Sequence, residues 1–160
     1  MNEQPRIDWN EYFLNIAKDV SKRATCLRRH YGAVLVNTEH QIVSTGYCGA
    51  PSGQQDCLTR GICWREENNI PSGSDYTRCL SVHAEMNALI QAGTAAKGCD
   101  LYVYGEQHGS GEIASGLPCI LCAKLIVNAG IRHVITSDVP QSKVYLPDSI
   151  LHLRNYGSPA

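Results

Sequence analysis

Two short strings carry the residues most able to do chemistry: His83-Ala84-Glu85 and Pro118-Cys119-Ile120-Leu121-Cys122. One imidazole and two thiols make a three-ligand zinc site with its fourth position open, the arrangement of catalytic rather than structural zinc. A metal held in this way lowers the pKa of a bound water, and Glu85 beside it is a carboxylate able to carry protons. A lone CxxC also serves as a redox pair or as half of a structural zinc knuckle, and the HAE triplet alone carries little information. The two strings together, each opening a helix, point to a catalytic metal. A closed structural site would need a fourth ligand, and the spare cysteines keep that alternative open.

The elements that must position these residues can be read from their flanks. Residues two apart on a helix do not share a face, so His83 and Glu85 converge only in a first turn, with the pocket beyond the helix N-terminus. Ser81 is the expected N-cap, the stretch from Ala84 to Ala92 is rich in helix formers, and Gly93 is the expected stop. Pro118 is expected at the first helical position, Cys119 and Cys122 lie one turn apart, and Gly130 ends the second apolar run. Both helices then aim their positive ends at the metal, which favours thiolates and a carboxylate.

Upstream, Trp9, Phe13, Ile16, Val20 and Ala24 recur at three- and four-residue steps and predict an amphipathic helix of about four turns. Residues 32–37 and 41–45 read as two strands around Thr38-Glu39-His40, an antiparallel hairpin. From 46 to 78 the chain is rich in Gly, Pro and polar residues, with a short helix expected near 57–67. Residues 100–104 predict a third strand, and 105–117 a mobile loop. Residues 133–137 predict a fourth strand, and 149–155 a weak closing helix. The expected architecture is α/β, with a mixed sheet between helical layers, in one domain spanning 1–160.

Composition sets further bounds. Of the 160 residues, 43% are hydrophobic and 18% charged, as in an ordinary globule. No run of about 18 apolar residues indicates a membrane span. Met1-Asn2-Glu3-Gln4-Pro5 lacks the basic and apolar regions of a secretion signal. The formal charge of -1 argues against a broad electrostatic grip on nucleic acid. Eight cysteines without a secretion signal indicate the reducing cytoplasm. Most of those outside the CxxC read as buried free thiols. Cys57, Cys63 and Cys79 flank one polar region, where a second, structural zinc is the competing reading.

Several stretches then converge on one family. They are Trp9-Asn10-Glu11-Tyr12-Phe13, Arg23-Ala24-Thr25-Cys26-Leu27-Arg28-Arg29, Tyr31-Gly32-Ala33-Val34-Leu35-Val36 and Gly46-Tyr47-Cys48-Gly49-Ala50-Pro51-Ser52-Gly53. The series continues with Asn69-Ile70-Pro71-Ser72-Gly73, 79–91 and 118–131. In these the chain resembles the deoxycytidylate (dCMP) deaminases of the cytidine deaminase-like superfamily, whose metal motif is H-x-E with P-C-x-x-C. The resemblance implies a three-layer α/β/α sandwich, a homo-oligomer, and zinc-dependent hydrolytic deamination at C4 of dCMP, giving dUMP and ammonia. It implies zinc on His83, Cys119 and Cys122, Glu85 as proton shuttle, and substrate contacts near position 48 and Ala84. It also implies dCTP and dTTP as effectors near Gly46, Tyr47, Gly49 and Gly53. A phosphate needs cations, and Arg23, Arg28 and Arg29 are at hand, with Arg28 the chosen contact.

Three departures bear on the substrate. Cys48 stands where the family usually has Asn, and a thiol cannot supply the amide's paired donor and acceptor. Met86 replaces the usual Gln after HAE, and the segment 105–117 is longer than expected before the PC motif. The alternatives are therefore the same chemistry on another nucleoside, nucleotide or free base, and a non-catalytic zinc protein that senses nucleotides. Neither a membrane nor a nucleic acid is an expected partner.

Overall fold

The computed structural model describes residues 5–138 and 141–156. Residues 1–4, which the leader reading concerns, lie outside the described residues, as do the ends of the 1–160 domain span. Five strands form one sheet in the order β2-β1-β3-β4-β5: β1 (Arg29–Val36), β2 (Ile42–Tyr47), β3 (Asp100–Gln107), β4 (His133–Thr136) and β5 (Lys143–Tyr145). Only β3 and β4 run parallel; the remaining pairs are antiparallel. The parallel pair needs a crossover, and the chain between them supplies the helix α5 (Ile120–Asn128).

The layers follow from the pleat. On β1, Ala33 and Leu35 face one side of the sheet while Val34 and Val36 face the other; on β3, Leu101 and Val103 oppose Tyr102 and Tyr104. Both faces are apolar because both are covered, so these strands read as near-continuous hydrophobic runs. The helix α1 (Trp9–Ser21) covers the Val34 side through Phe13, Leu14 and Ala17. The helix α4 (Ala84–Ala92) and α5 cover the other through Ala84, Ala88, Cys122, Ala123 and Ile126, with α6 (Pro147–Tyr156) packed beside α5 through Ile150. Helices on both faces of a mixed sheet make the expected three-layer α/β/α sandwich.

Two glycines set how closely the helices approach. A Cβ on Gly32 of β1 would lie 2.1 Å from the Ala17 carbonyl oxygen, and one on Gly46 of β2 would lie 2.3 Å from that of Ala84. Only hydrogen fits at these two crossings, so α1 and α4 rest directly on the backbone of the sheet.

Several expectations need correction. The first helix ends at Ser21; of the expected stripe Phe13 and Ala24 are buried and Ile16 and Val20 pack against the core, but Trp9 is 47% exposed, and Leu14, Ala17 and Ser21 are buried as well. The last turns of α1 sit over Gly32, next to Ala17 and Ser21. Residues 105–117 are not one irregular loop. β3 continues to Gln107, the chain turns at 108–111, and Ile113 bridges back to Glu106. The short helix expected near 57–67 is two single turns, α2 (Cys57–Arg60) and α3 (Trp64–Glu67), with Gly61 left-handed between them (φ 72°). Finally, β5 was not foreseen. Its sequence Lys143-Val144-Tyr145 is too short and mixed for a periodic signal, and it exists because β4 offers an open edge.

Candidate active site

Each functional side chain sits at a helix start. His83 is itself the N-cap of α4, not Ser81, and Cys119 is the N-cap of α5, which places Pro118 one residue outside rather than at the first helical position. The shift has a simple cause. Extended backbone at these caps (ψ 155° and 170°) aims both side chains past the helix ends, where the first amides and the dipole favour anions.

His83 Nδ1 lies 3.4 Å from Cys119 Sγ and 3.3 Å from Cys122 Sγ. The three ligand atoms lie within 4.8 Å of one another, and among the described residues no fourth protein ligand joins them. One nitrogen and two sulfurs, closely set, two of them buried, and open on one side fit a catalytic zinc ion. The Cys122 hydrogen bond lowers the Cys119 thiol to about 4, while the same contact and burial push Cys122 upward.

Glu85 follows in the first turn of α4 and is 6% exposed. Burial raises its carboxyl pKa against the opposing pull of His83. Several contacts fix the frame around it. Ser44 donates to the Ala88 carbonyl at 2.7 Å, Asn87 donates to the Tyr47 carbonyl at 2.8 Å, and Gly49 and Val82 exchange backbone hydrogen bonds just before His83. The other helix start is held from α6. Arg154 donates to the carbonyls of Pro118 at 2.8 Å and Leu117 at 2.9 Å.

His83, Glu85, Cys119, Leu117 and Arg154 line a cavity of about 390 Å³, the size of small-molecule sites. Cys48, Ala84 and Arg28 line it as expected, together with Arg29. Arg23 does not line it. Cys48 is 5% exposed and its thiol is committed to β1, accepting from the Tyr31 amide at 3.3 Å and donating to the Arg29 carbonyl at 3.5 Å; burial pushes it up to about 12. Arg28 also reaches Glu66 at 3.5 Å. Met86 is absent from the lining and packs against the core instead. None of Gly46, Tyr47, Gly49 and Gly53 lines this cavity: Gly46 and Gly49 are buried, and Tyr47 and Gly53 are exposed.

Sequence reasoning missed Arg65, Tyr76, Ser115 and Arg154. No local signal marks them, because loop packing and α6 bring them in. The segment 105–117 does reach the site, through Ser115 and Leu117, and the Tyr31 hydroxyl anchors it by donating to the Ser115 carbonyl at 3.1 Å.

A mixed sheet flanked by helices, with a His-Cys-Cys group open at two helix starts, defines a zinc-dependent deaminase scaffold. Residues 7–138 match the family model described as the cytidine and deoxycytidylate deaminase zinc-binding region, and the chain belongs to that family. It is 40% identical over 136 residues to the deoxycytidylate deaminase of Mycobacterium phage D29, covering 81% of this chain and 94% of that one. It is 37% identical over 132 residues to the mouse (Mus musculus) deoxycytidylate deaminase, covering 81% of this chain and 64% of the relative. The fold also matches the dCMP deaminase of cyanophage S-TIM5 solved with dCMP and dUMP, at a TM-score of 0.58 and 24% identity, covering 83% of each chain. Cytidine deaminase from Mycobacterium tuberculosis matches at a TM-score of 0.52 and 15% identity, over 91% of this chain and 95% of that one.

Proposed function

We propose that this protein hydrolyses the 4-amino group of dCMP, giving dUMP and ammonia. The observation that carries the reading is one cavity lined by His83 and Cys119 of the His83, Cys119 and Cys122 group, by the buried Glu85, and by four arginines, Arg28, Arg29, Arg65 and Arg154. The relatives named deoxycytidylate deaminase support the choice of substrate.

The net reaction adds water at C4 and expels the exocyclic amine. His83, Cys119 and Cys122 would hold the zinc ion, which when bound would supply the Lewis acidity that makes water nucleophilic near neutral pH. Glu85 takes one proton from the attacking water and delivers it to ring N3. It then takes the second from the new C4 hydroxyl and passes it to the departing amine, which leaves as ammonia as the C4 carbonyl forms. Burial, which raises its carboxyl pKa, suits this alternation between states. Ala84, fully buried on the cavity wall, leaves room for the base edge to approach the backbone. Arg28, with Arg29 and Arg154, supplies the charge for the phosphate.

Cys48 favours a second reading. Its thiol is occupied with β1 backbone, so the base has no amide partner there, which supports the same chemistry on another small ring or nucleoside. Glu85 argues against a non-catalytic sensor, since binding alone needs no proton shuttle. The deciding experiment is ammonia release by zinc-loaded protein over dCMP, CMP, dCTP, deoxycytidine, cytosine and purine counterparts, with Glu85→Ala as control. Turnover greatest on dCMP and lost in the control is expected; greater turnover of another ring would replace dCMP by that ring.

The wider reading is a single-domain, cytoplasmic homo-oligomer. Eight free cysteines support a reducing compartment, and exposed Ile90 (73%), Ile42 and Leu125 support subunit contacts, checked by light scattering. Regulation by dCTP and dTTP at Tyr47 and Gly53 is supported by their exposure and tested by adding either nucleotide during turnover. The net charge of -1 supports a nucleotide rather than a nucleic-acid partner. No helix among the described residues is long and apolar enough to cross a membrane.

A further inference from the structure

A nucleotide presents a base, a sugar and a phosphate. In this cavity, on the proposed function, His83, Glu85 and Cys119 face the base and the arginines face the phosphate. The sugar needs its own partner. A deoxynucleoside 5′-monophosphate has one free sugar hydroxyl, at the 3′ position, and that donor must find an acceptor when it leaves water. Position 48 offers no amide for it, because the Cys48 thiol is turned to the backbone of β1.

Strand β1 orders the cavity along its length. Side chains on one face of a strand recur every second residue, about 6.6 Å apart, so Arg29, Tyr31 and Ala33 share a face. Arg29 and Tyr31 line the cavity, while Ala33 lies in the core cluster that holds Ala84, Cys119 and Cys122. Along the strand the order is therefore a cation, then Tyr31, then the metal-binding end. A sugar lies between phosphate and base, and Tyr31 stands at that step.

The tyrosine is fixed there from three directions. Its backbone amide donates to Cys48 Sγ at 3.3 Å, and its carbonyl accepts from the Cys48 amide at 3.2 Å. Gly105 stands opposite on β3, where a Cβ would lie 2.2 Å from Tyr31 Cε1, so the ring rests directly on the strand. The hydroxyl donates to the Ser115 carbonyl at 3.1 Å. Burial pushes the phenol up, which keeps that proton in place. With its one proton committed to Ser115, the oxygen faces any further partner as an acceptor.

We propose that Tyr31 reads the sugar: its hydroxyl oxygen accepts a hydrogen bond from the 3′ hydroxyl of the substrate. The assignment rests on the proposed reading of the cavity as a nucleotide deaminase site. Cys48 is then a positioning residue, which holds the backbone of Tyr31 and touches no sugar itself. An acceptor whose ring and proton are both fixed before binding costs little ordering when the substrate arrives.

The test compares dCMP with its 3′-deoxy analogue, 2′,3′-dideoxycytidine 5′-monophosphate, in zinc-loaded wild type and Tyr31→Phe. Wild type should favour dCMP in kcat/KM by about 5- to 10-fold, the scale of one neutral hydrogen bond. In Tyr31→Phe that preference should vanish. A tyrosine that only anchors Ser115 would, when replaced, slow both substrates equally and leave their ratio as in wild type; that result would overturn the proposal. So would a wild type indifferent to the 3′ hydroxyl, a measurement that needs no variant. If dCMP is not turned over, the comparison is made with whichever nucleoside or nucleotide is, against its own 3′-deoxy analogue. The choice of dCMP can thus fail while the role of Tyr31 stands, whereas turnover of a free base alone would overturn both.

Discussion

The two walls of the main cavity are built on different principles. One wall carries His83, Glu85 and Cys119, with the buried Cys122 beside His83, on the starts of α4 and α5, helices seated against the sheet by Gly46 and by a shared apolar core. The other carries Arg65, Ser72, Gly73, Tyr76 and Cys79 on a segment with almost no regular structure, held by carbonyl contacts around one guanidinium. On the proposed function, chemistry that needs atoms fixed within a fraction of an ångström falls to the rigid wall, and substrate-shape recognition to the adaptable one. The two walls should therefore fail differently. Damage to the first should remove turnover, while damage to the second should change affinity and substrate choice.

The sharpest way to break this contrast is at Glu85. Glu85→Gln keeps the shape of the rigid wall and removes its proposed proton carrier, and kcat should fall by about 10³-fold or more with zinc content unchanged. Zinc removal by a chelator should match that loss and be reversed by added zinc. A Glu85→Gln enzyme within tenfold of wild type would show that the rigid wall does not carry proton transfer.

Next in size are the cavity arginines. Arg28→Ala should raise KM for dCMP by about 10- to 100-fold, the scale of a charged hydrogen bond, and leave KM for deoxycytidine nearly unchanged. Arg154 is the informative counterpart, because it also holds the carbonyls of Leu117 and Pro118 before Cys119. Its loss should lower kcat as well as raise KM. Equal effects of Arg28→Ala on nucleotide and nucleoside would remove the phosphate role.

The same division explains what was legible in the sequence. The zinc ligands, Glu85, the hairpin and the parallel β3–β4 unit were readable because caps, glycine stops and apolar periodicity are local signals. Even there the cap was misplaced from His83 to Ser81, since a histidine is rarely read as a cap. Arg65, Tyr76 and Arg154 gave no such signal, because their places depend on how residues far apart pack together. β5 was missed for a related reason: a three-residue edge strand is decided by its neighbour and not by its own residues.

A stability probe sharpens the comparison from the rigid side. In Gly46→Ala the new methyl would meet the Ala84 carbonyl oxygen at 2.3 Å and the Ala88 amide nitrogen at 2.4 Å. Both are backbone atoms, so α4 must lift from β2. The expected cost is about 2–3 kcal/mol, a fall in Tm of about 5–10 °C for a chain of this size, measured by calorimetry. At Gly53, exposed and with open space around its Cβ position but φ +80°, the same change adds backbone strain without a clash, and its cost should be smaller.

The smallest expected effect lies away from both walls and tests whether they can be perturbed independently of the sheet. Asp100, at the start of β3, holds Arg132 at 2.6 and 3.0 Å and His133 Nδ1 at 2.9 Å. Burial pushes its carboxyl up, but the hydrogen bonds from Arg132 and His133 outweigh that and leave it below its ordinary value of 3.8. A depressed carboxylate stabilises the fold above the unfolded value, and the contribution disappears as pH falls through the native one. Arg132 is 45% exposed, so solvent screening limits the contribution to about 1 kcal/mol or less. Asp100→Asn should therefore be slightly less stable than wild type at pH 7, and the two stability curves should converge as pH drops below 3.8. The kcat and KM for dCMP should not change. A loss of turnover in Asp100→Asn would mean that the far end of the sheet is coupled to the helix starts, and that the rigid wall is rigid only while this ion pair holds.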